Sequence, residues 1–124
     1  MTARKVLLVD DSSTTLMMER MILEKRTTYS VLTANSGEEA IEVALEEKPD
    51  LILMDVGMPT MSGFDACKLL RMNSHTKETL IILVTSHGEE ASIASGFESG
   101  CNDYITKPIS SGELVKMLQY HLGE

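Results

Sequence analysis

The chain has 124 residues, 43% of them hydrophobic, and a formal net charge of −8. That length accommodates one domain with its own core, and the hydrophobic share is that of a globular protein, not a disordered one. The acidic balance disfavours direct binding to nucleic acid, which needs clustered Lys and Arg to neutralise phosphates, and it disfavours anionic lipid surfaces for the same reason.

No apolar stretch approaches the roughly 20 residues of a membrane-spanning helix. The start, Met1-Thr2-Ala3-Arg4-Lys5, leads into an apolar run too short for a signal peptide. No membrane association and a cytoplasmic location are therefore expected. Cys67 and Cys101 lie far apart in a chain with its own core, so they are expected to be reduced packing residues. Too few Cys and His stand at ligand spacing for a structural zinc site.

Lys5 to Val9 is a near-continuous apolar run that ends in Asp10 and Asp11, the pattern of a strand buried on both faces of a parallel sheet. Ser12 to Lys25 carries Leu16, Met18, Met21 and Ile22 near helical spacing. Its methionines, Met17 included, read mainly as core filler, with an adaptable partner surface as the alternative. Tyr29 to Ala34 is a short strand. Ser36-Gly37-Glu38-Glu39 reads as a capping box, with Ser36 as N-cap and Glu39 at the third helical position. The helix that follows has Ala40, Ile41, Ala44 and Leu45 on one face and stops at Lys48-Pro49-Asp50, because Pro cannot continue it.

Leu51 to Met54 is a second buried run, and Asp55 ends it. Met58 to Gly63 reads as a loop and Phe64 to Met72 as a third helix. Leu80 to Val84 is another apolar run, ending in Thr85-Ser86. Glu89 to Ser99, rich in Ala and Ser, is a fourth helix with a weak apolar stripe. Asp103 to Thr106 is a fifth strand that leads into Lys107-Pro108. Ser110-Ser111-Gly112-Glu113 is a second capping box, opening a last helix with Leu114, Leu118 and Leu122 at i, i+4 and i+8.

Strand and helix thus alternate five times. This predicts an α/β fold, (βα)5, doubly wound, with a five-stranded parallel sheet and helices on both faces. Right-handed crossovers leave few topologies. No internal repeat or linker interrupts the pattern, so residues 1–124 are expected to form one domain.

All strands of a parallel sheet end on one edge, where open α/β sheets bind ligands. The residues at those ends are Asp10, Asp11, Asp55, Thr85 and Lys107. A single strand-terminal Asp is most often a turn former or cap; five such groups on one edge are a site. Three carboxylates in one crevice repel, and one takes up a proton unless a cation is present. Mg²⁺ suits such a crevice, because it takes oxygen ligands and keeps waters for a phosphate. Asp11 and Asp55 could ligate it, with Asp10 orienting a ligand water and a backbone carbonyl just after Asp55 adding a donor. Asp55 could also act as a nucleophile that forms an aspartyl phosphate, with Lys107 and Thr85 on phosphoryl oxygens.

The chain resembles CheY-like receiver domains of two-component response regulators, from about Lys5 to Leu122. The resemblance rests on Val9-Asp10-Asp11, Ala34-Asn35-Ser36-Gly37-Glu38-Glu39-Ala40, Asp55-Val56-Gly57-Met58-Pro59, Ser62-Gly63, Val84-Thr85-Ser86 and Lys107-Pro108. It implies the flavodoxin-like strand order 2-1-3-4-5. It implies Asp55 as phosphoacceptor, with a histidine kinase or histidine phosphotransfer protein as donor. It implies Mg²⁺ ligation by Asp11, Asp55 and the Gly57 carbonyl, with Asp10 acting through water, and Lys107 as phosphate contact. Thr85 and Tyr104 become the switch pair that relays phosphorylation to the face of the fourth helix, fifth strand and fifth helix. The implied protein is not an enzyme but a phosphoacceptor that assists its own phosphorylation and dephosphorylation. It would act on a downstream protein partner, and phosphorylation-dependent homodimers are common among similar receivers.

The sequence departs from the family pattern in two places. Gly57 has no side chain to guide a hydrolytic water, so His87, two residues after Thr85, is the expected determinant of phosphoryl lifetime. Ile109 stands where an aromatic is frequent, a change expected to affect packing only. The resemblance also suggests a cis bond at Lys107-Pro108. Rival readings fare worse. A haloacid-dehalogenase-like phosphatase needs a second Asp at the position of Gly57. A nucleotide or flavin carrier needs a Gly-rich loop where Asp10-Asp11-Ser12-Ser13 stands. A phosphorelay intermediate uses the same site, and a scaffold that is never phosphorylated would not need the full acidic set.

Overall fold

Each apolar run becomes a strand and each capped segment a helix. The computed structural model describes residues 3–85 and 90–123. Ser86 to Glu89, with His87 among them, lies outside the described residues. The strands are β1 (Lys5–Val9), β2 (Ser30–Ala34), β3 (Leu51–Asp55), β4 (Leu80–Thr85) and β5 (Asp103–Thr106). They alternate with helices α1 (Ser13–Arg26), α2 (Gly37–Glu47), α3 (Gly63–Met72), α4 (Glu90–Ser99) and α5 (Ser111–Leu122). The sheet is parallel throughout, in the expected order β2-β1-β3-β4-β5.

The strands lack polar alternation because both faces of the sheet are covered. Leu7, Val9, Ile52, Met54, Ile81 and Leu83 form one core with Ala40 and Ala44 of α2 and Ala66, Cys67 and Leu70 of α3. Their strand neighbours Val6, Leu8, Leu51, Leu53, Ile82 and Val84 form the other, against Leu23 of α1 and Leu114, Val115, Leu118 and Leu122 of α5. Each fully buried Leu or Ile contributes about 1.5–3 kcal/mol relative to exposure. Cys67 and Cys101 are buried and unbridged, as expected. Among the described residues no helix is long and apolar enough to cross a membrane.

Serines start four of the helices. Ser12, Ser36, Ser62 and Ser110 each accept a hydrogen bond from the backbone N–H three residues on, an arrangement worth about 1 kcal/mol apiece. The box at Ser36 closes differently from the simple pattern: Glu39 Oε1 accepts from Asn35 N at 2.7 Å. Lys48 ends α2 in the left-handed region, with φ 50°, and Pro49 follows.

Helix α1 departs from expectation. Met17, Met18 and Met21 are 63, 53 and 52% exposed, so they do not fill the core. The buried residues are Glu19 and Leu23. Leu16, Glu19 and Leu23 fall at i, i+3 and i+7, which sets the inward stripe, and each residue turns the helix by about 100°. Met18 and Met21 are therefore carried outward. The chain's true inward face includes an acid that an apolar count passes over.

The start of α3 lies directly on the end of β3. A Cβ at Gly63 would fall 2.5 Å from the Asp55 carbonyl oxygen and 2.8 Å from Val56 Cα. Gly63 N donates to Val56 O at 3.1 Å, so the approach is hydrogen-bonded as well as close. Gly63→Ala is expected to displace the Asp55 backbone and to cost about 1–3 kcal/mol, as overpacking does. A urea titration of both proteins reads this directly.

Candidate functional site

Strand order reverses between β1 and β3, since β1 connects to β2 on one side and β3 to β4 on the other. The crevice at the carboxyl ends of these strands is where such sheets take ligands. Asp10 follows β1; its N–H donates to Ala34 O at 3.2 Å, and its Oδ1 accepts from Ser12 N at 2.9 Å. Asp55 is the last residue of β3, and Val56 N donates to Val84 O at 3.0 Å just beyond it. Carboxylate oxygens of Asp10, Asp11 and Asp55 lie within 4.8 Å of one another. Asp10 and Asp55 are buried and Asp11 is exposed.

Lys107 reaches this cluster from the end of β5. Its backbone N–H donates to Thr85 O at 2.9 Å. Its Nζ stands 3.4 Å from Asp55 Oδ1 and 3.7 Å from Asp10 Oδ2. The Lys107–Pro108 bond is cis. Thr85 ends β4, buried, and its hydroxyl has no hydrogen-bond partner among the described residues. Tyr104 pairs with Leu83, two residues before the Thr85–Thr106 pair. Its half-buried ring meets Phe97 of α4 edge-on, with centroids 5.9 Å apart. Gly57 is exposed, and a Cβ there would meet open space. Of the residues singled out from sequence, Asp10, Asp11, Asp55 and Lys107 thus converge. Thr85 ends the strand next to that of Asp55, and Tyr104 lies farther back along β5.

Residues 6–119 match the family model described as the response regulator receiver domain. The chain belongs to that family. It is 44% identical over 111 residues to the transcriptional regulatory protein ResD of Bacillus subtilis, covering 90% of this chain but 45% of ResD. The chain therefore spans about half the length of that curated relative. Among solved structures it is similar to the chemotaxis response regulator CheY4 of Vibrio cholerae, with 36% identity, a TM-score of 0.90 and coverage of 97 and 99% of the two chains. It is also similar to the receiver domain of the sensor histidine kinase PA1611 from Pseudomonas aeruginosa, at 27% identity and a TM-score of 0.90, with coverage of 99 and 100%. That structure has a magnesium ion coordinated in its active-site cleft.

The electrostatics of this receiver domain call for a cation. Burial holds the Asp10 carboxyl above its ordinary range, and the charges of Asp55 and Asp11 push the same way against the Ser12 N–H and Lys107. Burial would lower Lys107, but Asp55 and Asp10 outweigh it and hold the ammonium above its usual range. Among the described residues the ammonium pairs with two of the three clustered carboxylates. Hard oxygen donors this close, with excess negative charge, fit a small divalent cation. The unpartnered Thr85 hydroxyl fits an anionic oxygen nearby.

Apolar periodicity missed Glu19. Although it sits on α1, it is only 3% exposed. Burial first, then the charge of Asp10, push its carboxyl up to about 7, with Lys107 opposing. The signal was present in the sequence as a lone acid on the Leu16–Leu23 stripe. A carboxyl held protonated more tightly in the folded chain stabilises the fold fully below its ordinary 4.5 and loses that contribution as pH rises through about 7. In metal-free buffer, Glu19→Gln should therefore gain stability relative to wild type across that window, by roughly 2–3 kcal/mol. Urea midpoints of the two proteins measured from acid to neutral pH check the sign.

Proposed function

We propose that this receiver takes a phosphoryl group on Asp55 from the phosphohistidine of a histidine kinase or histidine phosphotransfer protein. The observation that carries the reading is one cluster: three carboxylates within 4.8 Å of one another, with Lys107 Nζ 3.4 Å from Asp55. An Asp55 oxygen attacks phosphorus and the new O–P bond forms. The N–P bond of the donor breaks, and its electron pair stays on the imidazole nitrogen. Lys107 and the Thr85 hydroxyl hold phosphoryl oxygens, which is where positioned donors contribute most. Asp11, Asp55 and the Gly57 carbonyl would hold Mg²⁺, with Asp10 acting through a water. When bound, the ion supplies neutralising charge for the transferring group. The magnesium-bound PA1611 receiver supports this assignment.

The phosphoryl group draws Thr85 toward it, and Tyr104 exchanges its contact with Phe97 for the space that Thr85 leaves. The surface of α4, β5 and α5 changes with it, and a downstream protein or a second phosphorylated copy docks there. Residues 1–124 act as one receiver unit in the cytoplasm, as a phosphoacceptor and not as an enzyme with a separate substrate. Acetyl phosphate with Mg²⁺ should add the mass of one phosphoryl group to the intact protein, and a chelator should prevent it. An unchanged mass in Mg²⁺ would sink the reading.

A further inference from the structure

A cavity of about 480 Å³ lies beside the acidic crevice, between α1 and the turn that follows β5. Met18 and Ile22 of α1 and Pro108 and Ile109 of the turn give it apolar walls. Glu19 and Lys107 also line it. Glu19 is nine-tenths buried, and its carboxylate has no hydrogen bond or ion pair among the described residues. Lys107 attracts it only through charge at longer range, because its Nζ is engaged by Asp55 and Asp10 at 3.4 and 3.7 Å. A carboxyl this buried and without a partner is costly to ionise, and a cation brought to it offsets that cost.

We propose that this cavity receives a basic side chain, arginine or lysine, from the phosphodonor protein, its stem against Met18, Ile22 and Ile109 and its cation on Glu19. Naming the donor as the source rests on the phosphotransfer reading above; the preference for a cation on an apolar stem does not. Long basic side chains bury their methylenes and keep the charge for a partner. A guanidinium is weakly hydrated and so the cheaper group to bring in. The volume falls in the range of formed ligand pockets. Position supplies the link to the donor. Lys107 is at once a wall of the cavity and the neighbour of Asp55, so a protein that brings phosphohistidine to Asp55 covers the opening. The net charge of −8 favours a basic visitor. An apolar side chain would leave Glu19 unpaired, and an acidic one would be repelled by it.

The probe is butylguanidinium, titrated into wild type and Glu19→Gln with methyl-labelled Ile and Met, in Mg²⁺. Saturable shifts at Ile22, Ile109 and Met18 are expected, weakened at least about tenfold in Glu19→Gln. Pentanol, an uncharged probe of similar reach, should bind the wild type at least about tenfold more weakly than butylguanidinium does. No saturable shift, equal binding of the cation to both proteins, or pentanol binding to wild type as tightly as the cation would overturn the cavity proposal; the last comparison needs no variant and stands even if Glu19→Gln fails to fold. Any phosphohistidine donor protein that labels wild type should transfer more slowly when the probe saturates the cavity, while labelling by acetyl phosphate continues. Undiminished protein-donor transfer would show that the occupant is not the donor. Failure of acetyl phosphate to label wild type would sink the phosphotransfer reading and leave cation binding standing.

Discussion

Asp55→Asn is expected to abolish phosphoryl uptake and, in metal-free buffer, to stabilise the fold. The amide keeps the shape of the carboxylate but cannot act as the nucleophile, so no acyl phosphate forms. It also removes one of the charges that disfavour ionised Asp10. Lys107 loses its contact at 3.4 Å but keeps Asp10 at 3.7 Å. Because three acids cluster and the ammonium keeps Asp10, relief of repulsion outweighs the lost pair, for a gain on the order of 1 kcal/mol. Intact mass after acetyl phosphate treatment reads the first effect and the urea midpoint the second. Added Mg²⁺ should narrow or reverse the stability gap, because it stabilises the protein that holds it better.

Lys107→Met should slow phosphoryl uptake by about 10²–10³, the usual cost of removing one positioned donor to a developing anion. The substitution keeps most of the unbranched stem and removes the charge. It leaves Asp10 and Asp55 without their shared ammonium, so the Asp10 carboxyl should rise further above its ordinary range. Lys107→Arg should not restore the rate fully. The guanidinium is a planar fork, whereas the site places a compact ammonium between two buried acids. Time courses of the mass increase for the three proteins measure this.

The fold was legible because buried parallel strands have an unmistakable signature. Leu51 to Met54 and Leu80 to Val84 carry no polar residue, and the observed sheet buries both faces of each. The caps at Ser36 and Ser110 were legible for the same local reason, since three-residue spacing is enough to recognise them. The acids were legible because a strand ending in Asp fixes its place on the sheet edge without knowledge of anything else. Pairings between distant elements were not. The tight seat of Gly63 on Asp55 depends on how α3 packs against β3, and the Phe97–Tyr104 contact depends on the angle of α4. Glu19 was hidden by its apolar neighbours on α1. A pattern that counts apolar residues assigns the inward face of α1 to Met18 and Met21, and only the geometry puts an acid there instead.

The position of the phosphoryl group is the most direct test. Wild-type protein labelled with acetyl phosphate and Mg²⁺ can be reduced with borohydride, which converts an aspartyl phosphate to homoserine, and then digested and sequenced by mass spectrometry. Homoserine in place of Asp55, with Asp10 and Asp11 intact, is the predicted result. Homoserine in place of Asp10 or Asp11, or a phosphoryl group retained on a histidine or serine with Asp55 unchanged, would contradict the assignment of Asp55 as the acceptor.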